Sequence, residues 1–288
     1  MTKTLIFGAS GTVGSEIFRI LSKDKQYRVY GVYNKNKPAG IEENLWTKCD
    51  MADIESLKIL LESINPDIVI SSLTGDFLAQ SSAHRIITAY LKKNSGKIVY
   101  ISTANVFDGD VRGLHSETTT PYPLSAYGSF KQSCEEMLLW GLAANCLVVR
   151  LPKILTKRDI GDTIKSSEEG QAVYANLHLN FNTAENVAKA IHYAIECNKS
   201  GILHLASYDY ISIEEYMQCL LKLSNKSFAY KSESLNPQSY CAVFAEKDTT
   251  KLRQSTDGNY YLTISSRHED INTKFKLSCK DAIAAVFP

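Results

Sequence analysis

Through the first half of the chain, short runs of β-branched and aliphatic residues alternate with longer segments in which apolar positions recur every three or four residues. The runs Thr4–Phe7, Arg28–Val32, Asp67–Ser71, Lys97–Ser102 and Leu147–Arg150 predict strands, and a further strand is expected to end at Cys49-Asp50-Met51. The segments 13–24, 53–64, 78–94 and 126–144 predict the helices between them. Strands joined by helical crossovers of one hand leave few arrangements, so the expected fold class is α/β, a doubly wound parallel sheet. After Pro152 the pattern loosens. A helix is expected at 183–197, a strand at 201–206 and a helix at 213–223, while 236–270 is a polar, Tyr- and Ser-rich tract without a readable period. The expected organisation is a nucleotide-binding domain over 1–152, to which 180–207 returns, and a smaller substrate-binding lobe from 153–179 and 208–288.

A length of 288 residues suits one large domain with a dependent lobe, and 44% hydrophobic with 22% charged residues are ordinary for a folded chain. A net charge of +1 gives no long-range field suited to nucleic acid or an anionic membrane, so the expected partner is a small molecule. The chain enters a strand pattern at residue 3 with no leader-like stretch, and no run approaches the length of a membrane span, so a cytoplasmic location is expected. The seven cysteines are dispersed, with no Cys-x-x-Cys pair and no histidine at zinc spacing; they read as reduced packing residues, Cys134 included, and no metal is expected.

The first strand runs into Gly8-Ala9-Ser10-Gly11-Thr12-Val13-Gly14 and then a helical pattern. Glycines at such a junction make a tight turn, let backbone approach a pyrophosphate and allow close helix packing, while the helix N-terminus offers free N–H groups. The missing Gly-Lys-Ser/Thr argues against a nucleotide triphosphatase. Gly8, Ser10, Gly11, Thr12, Val13 and Gly14 are therefore the expected dinucleotide cradle of a Rossmann domain. Where an acid would hold the ribose hydroxyls of NAD, the second strand continues Tyr33-Asn34-Lys35-Asn36-Lys37. A cation there suits a 2′-phosphate, which favours NADP with NAD as the alternative. Asp50, Met51, Ser72 and Leu73 complete the expected cofactor contacts.

Strand 97–102 ends in Ser102-Thr103, and Tyr127-Gly128-Ser129-Phe130-Lys131 opens a later helix. Residues four apart share a helix face, so the Lys131 ammonium is expected near the Tyr127 phenol, lowering its pKa and fitting it for proton transfer. These motifs resemble the extended short-chain dehydrogenase/reductases, and within them the dTDP-4-dehydrorhamnose reductase family. The likeness rests on the glycine turn, Asn65-Pro66-Asp67-Ile68-Val69-Ile70, Ile101-Ser102-Thr103-Ala104-Asn105-Val106-Phe107-Asp108-Gly109, Glu117 with Pro121 and Pro123, Tyr127 to Lys131, and Gly201-Ile202-Leu203-His204-Leu205.

The resemblance implies Thr103, Tyr127 and Lys131 as catalytic residues: Thr103 bonds the substrate oxygen, Tyr127 is the acid/base, and Lys131 binds the nicotinamide ribose. It also implies a homodimer through helices 78–94 and 126–144. Thr74, Asn105, Phe107 and Lys153 are the expected substrate contacts, with Lys157 and Arg158 nearby as further cations. The expected activity is reduction of a 4-keto nucleotide-activated deoxysugar; the alternatives are an epimerase or dehydratase of such sugars, or a non-catalytic dinucleotide-binding regulatory subunit. The chain departs from the family at Ala104, where an Asp is usual, at Phe130, where a small hydroxyl residue is usual, and at Ser71-Ser72-Leu73-Thr74-Gly75. His84 reads as a helix-face or buried histidine rather than an acid or base.

Overall fold

A computed structural model describes residues 1–35, 43–227, 229–244 and 249–287, so Asn36 and Lys37 lie outside the described residues. Its central sheet has seven strands: β1 (Thr2–Phe7), β2 (Tyr27–Tyr33), β3 (Trp46–Lys48), β4 (Ile68–Ser71), β5 (Lys97–Thr103), β6 (Cys146–Leu151) and β7 (Gly201–His204). They lie in the order β7-β6-β5-β4-β1-β2-β3. β1 pairs in parallel with β2 and β4, as do β2 with β3 and β4 with β5. This is the doubly wound arrangement expected from the alternating pattern.

One strand is displaced from its expectation. β3 ends at Lys48, so Cys49-Asp50-Met51 follows it. Trp46 sets this position: its register partner is Gly31, where a Cβ would meet the indole at 2.7 Å, and its ring lies 4.6 Å from that of Phe18. Only a glycine opposite leaves room for the indole.

The helices that alternate with these strands along the chain are α1 (Thr12–Leu21), α2 (Ile54–Ile64), α3 (Phe77–Asn94), α4 (Ala126–Leu142) and α5 (Ala184–Glu196). Asp53 and Asp76 cap α2 and α3 by accepting from Ser56 N and Ala79 N, and Asn65 and Ser95 close the same helices in the left-handed conformation.

The chain divides into two compact units, the first made of 1–102, 133–149 and 184–203 and the second of 103–132, 150–183 and 204–288. The first is built around Leu5, Ile6, Phe7, Val69, Ile70, Ile98 and Val99 of the sheet and Ile17, Leu57 and Ile87 of the helices, none of them exposed. Each such side chain contributes on the order of 1.5–3 kcal/mol by leaving water. Of the two readings of His84, the buried one holds: Nε2 lies 2.8 Å from Ser71 Oγ and its ring meets Tyr100 edge-on. Cys134 is buried beside it.

The second unit holds a four-stranded sheet in the order Ile211–Ser212, Leu177–Leu179, Tyr260–Ile264, Leu114–His115. The tract 236–270, which showed no period, thus contains a central strand, and helix Pro237–Phe244 precedes it. Tyr240 of that helix stacks on Tyr260 at 5.0 Å inside a cluster with Val111, Leu177 and Leu235. Among the described residues, no helix is long and apolar enough to cross a membrane.

Candidate active site

In the first unit the β1–α1 turn is fixed by its glycines. Gly8 has φ +74°, and a Cβ there would stand 2.3 Å from the Ser72 carbonyl oxygen; one on Gly14 would stand 2.2 Å from the Gly8 oxygen. The turn closes through Gly11 N–H donating to Gly8 O, and Ser72 N–H donates to Phe7 O. α1 then starts at Gly11 with no side-chain cap and no acid in its first turn. An uncapped helix start of this kind offers N–H groups and a positive dipole end to an anion.

Beside the turn opens a cleft of about 810 Å³ lined by Ser10, Asn34, Lys35, Asp50, Thr74 and Asp76, with Leu78 and Ser82 further along α3. Four of the expected cofactor residues meet here. The carboxylates of Asp50 and Asp76 are engaged by the Ala52 and Ala79 N–H groups. Thr74, expected at the substrate, also lines this cleft. Met51 is buried, and Ser72 meets Gly8 through its backbone. The wall from α3 was missed, although Asp76 ahead of Phe77-Leu78-Ala79 is a legible helix cap.

In the second unit Thr103 ends β5, and Tyr127 and Lys131 sit on the first turns of α4. The Tyr127 and Thr103 hydroxyls are hydrogen-bonded, and Lys131 Nζ lies 6.0 Å from the Tyr127 ring centroid. Thr103 Oγ1 also donates to Asn105 Oδ1 at 3.0 Å and accepts from Asn105 N at 3.2 Å, so Asn105 orients the threonine. Thr103 and Lys131 are buried, and Tyr127 is 40% exposed. The electrostatics correct one expectation: desolvation raises the Tyr127 phenol above its ordinary value, with the Thr103 hydrogen bond pulling the other way. A phenol in this state is protonated at neutral pH and can donate.

A residue that sequence reasoning passed over fixes the start of α4. Asp108, fully buried, accepts from the N–H groups of Leu124 (2.6 Å) and Ser125 (3.1 Å) and from the Ser125 hydroxyl, which in turn accepts from Gly128 N. Burial pushes the carboxyl upward while these hydrogen bonds oppose it. The Tyr240 hydroxyl donates to the Asp108 carbonyl oxygen at 2.9 Å. The Asp-Gly dipeptide followed by a Ser before α4 was the available signal.

Two expected substrate residues are otherwise occupied. Phe107 is fully buried, stacked on His115 at 4.4 Å with the Arg150 guanidinium 5.1 Å from its ring, and packs with Ala104, Val106 and Ile264. It sits as a core residue of the second unit. Lys153 Nζ is paired with Asp159 Oδ1 at 2.6 Å, the carboxylate that also closes the capping box at Thr156. Arg158 lies 3.4 Å from Asp162.

Around Arg150 the second unit buries His204, whose Nε2 lies 3.4 Å from Arg150 Nη1 and whose Nδ1 lies 3.0 Å from Ser265 O; Glu117 accepts from His204 N. Burial depresses the imidazole to about 4, with Glu117 opposing and Arg150 reinforcing the shift. The unfolded chain, whose histidines titrate near 6.5, then binds more protons than the native one between about pH 6.5 and 4. Stability is therefore expected to fall as pH drops through that window, and His204→Gln to flatten the slope. Urea unfolding at stepped pH checks this; a wild-type midpoint constant from pH 6.5 to 4.5 counts against it.

Comparison with known proteins places these features. Residues 2–243 match the family model described as the RmlD substrate binding domain. A dTDP-4-dehydrorhamnose reductase of Aggregatibacter actinomycetemcomitans is 26% identical over 48% of this chain and 47% of its own length, so the chain spans about half of that relative. A probable low-salt glycan biosynthesis reductase of Haloferax volcanii is 24% identical over 73% of this chain and 76% of its own. A crystal structure of dTDP-4-dehydrorhamnose reductase from Bacillus anthracis in complex with NADP superposes with a TM-score of 0.71 at 18% identity, covering 99% of this chain and 96% of that one. At that identity the likeness establishes the fold.

Proposed function

The chain belongs to the RmlD substrate binding domain family, and from that membership we propose that it is a nicotinamide-dependent reductase, turning the 4-keto group of a nucleotide-activated deoxysugar into an alcohol. The observation that carries this reading is the hydrogen-bonded Tyr127–Thr103 pair with the Lys131 ammonium on the same helix face. Reduction of a ketone needs a proton at the carbonyl oxygen as negative charge builds there. Thr103 holds that oxygen by its hydroxyl, Tyr127 donates the proton, and Lys131 stabilises the phenolate left behind. Bound dinucleotide supplies the hydride.

The uncapped α1 start and the cleft with Ser10, Asn34 and Lys35 fit the phosphates and adenosine half of a dinucleotide. Lys35, exposed just past the end of β2, favours NADPH over NADH. Lys35→Ala is expected to weaken NADPH binding about tenfold or more and leave NADH unchanged, since a charge-assisted hydrogen bond is worth about 1.5–3 kcal/mol. Isothermal titration with both nucleotides decides this; equal losses for both would remove the 2′-phosphate assignment.

The activity itself is tested by following oxidation of NADPH and of NADH against a panel of 4-keto nucleotide sugars. Turnover with one of them establishes the reductase and names its sugar. Cofactor binding without oxidation across the panel overturns the proposal in favour of an epimerase or a regulatory subunit.

A further inference from the structure

The first unit carries a second cluster of ligand-type side chains, unrelated to the cleft. Asp24, in the turn after α1, and His192 and Glu196, one turn apart on α5, place one donor atom each within 4.8 Å of one another. His192 Nε2 lies 3.0 Å from Asp24 Oδ2 and 3.9 Å from Glu196 Oε1. The donors are partly preset. The other Asp24 oxygen accepts from Gln26 N, and the Tyr27 ring meets the imidazole edge-on at 5.6 Å.

Charge sets this cluster apart from its neighbours on the same two helices. Glu16 pairs with Arg19 at 2.6 Å and Glu185 with Lys189 at 2.9 Å. Among the described residues, neither Asp24 nor Glu196 has such a lysine or arginine partner; both face the one imidazole. An imidazole carries at most one positive charge, so the trio is net negative in any protonation state of His192. Two carboxylates and an imidazole nitrogen are what a borderline divalent ion takes. Tetrahedral coordination at about 2.0–2.2 Å puts neighbouring donors roughly 3.3–3.6 Å apart. The 3.0 and 3.9 Å separations bracket that span and the third pair lies within 4.8 Å, and the Glu196 side chain, 44% exposed, is the one with room to move.

The geometry points to a binding site for a divalent transition-metal ion of the zinc type, held by Asp24, His192 and Glu196. The ion replaces the proton that His192 Nε2 shares with Asp24, which moves to Nδ1 or to solvent, and a fourth position stays open to water. Its effect is mechanical: it ties α5 to the α1–β2 turn, across 168 residues of sequence. Imidazole ligation disfavours Mg²⁺, which prefers an all-oxygen shell.

The test is titration of chelator-treated full-length protein with Zn²⁺ by calorimetry and with Co²⁺ by its visible absorption, in a Cys197→Ser background, since Cys197 is an exposed thiol next to Glu196. One equivalent is expected to bind, with affinity falling at least about tenfold in His192→Gln and in Glu196→Gln, comparable to or larger than the loss from perturbing an outer partner. Excess Mg²⁺ is expected not to compete. Glu196→Gln keeps the shape of an exposed side chain, so it reports even if His192→Gln folds poorly. Absence of saturable binding, or binding that survives both substitutions or disappears with Cys197 alone, overturns the proposal.

Discussion

On the proposed reductase reading, Tyr127→Phe is expected to give a folded protein that still binds dinucleotide but reduces a keto-sugar roughly 10²–10⁴-fold more slowly, the range for loss of a positioned general acid. The phenyl ring keeps its place over the first turn of α4 and its contact with Lys131, while the hydroxyl that pairs with Thr103 is gone. Thermal unfolding should scarcely change, because Tyr127 is 40% exposed. The pH profile adds a second check. Desolvation holds the phenol above its ordinary 10.0, so the proton stays in place through neutral pH and the reductive rate should fall only on the alkaline side. Stopped-flow rates for the hydride step from pH 6 upward measure this. A variant that retained wild-type turnover would assign the proton to another donor and remove Tyr127 from the chemistry.

The second large effect is expected at Gly8. Gly8→Ala meets two penalties: a left-handed φ of +74°, costing about 1–2 kcal/mol, and a methyl 2.3 Å from the Ser72 carbonyl oxygen and 2.7 Å from its carbon, where overpacking costs about 1–3 kcal/mol. The obstacle is backbone, and Ser72 is tied to Phe7 O by its own N–H, so it has little freedom to retreat. A loss of roughly 2–5 kcal/mol follows, with dinucleotide affinity falling as well because the turn must open. Gly201→Ala isolates the first penalty: φ is +84°, and nothing lies within 4 Å of the added methyl. Urea unfolding of the two variants side by side should show Gly8→Ala as clearly the worse. Equal losses would mean that the turn relaxes around the methyl and that its shape is not set by the Ser72 contact.

Apart from β3, the strands of the first unit were legible because each is a run of β-branched and aliphatic residues in alternation with helices whose apolar faces are complete in local sequence. β3 was misplaced because its position depends on one indole finding Gly31 and Phe18, a match between separate segments. Strand Tyr260–Ile264 stayed hidden for a similar reason. Its tyrosines read as polar, and its partners Leu177–Leu179 and Leu114–His115 lie far back in the chain. At the site, the four-residue spacing of Tyr127 and Lys131 was a statement about one helix face and needed no partner. Phe107 and Lys153 were different. Spacing placed them near the chemistry but could not say that one turns inward onto Ile264 and His115, or that Asp159 engages the other. Asp108 escaped notice because the N–H groups it satisfies are 16 and 17 residues away.

The two tryptophans of the chain stand in opposite surroundings. Trp46 is covered, against Phe18 and Gly31, and Trp140 on α4 is 91% exposed. Iodide therefore reaches the second and spares the first, so quenched samples emit from a single indole on the strand beside β2, whose end leads to Asn34 and Lys35. Emission from Trp46 in iodide is therefore expected to follow nucleotide titrations without an attached label.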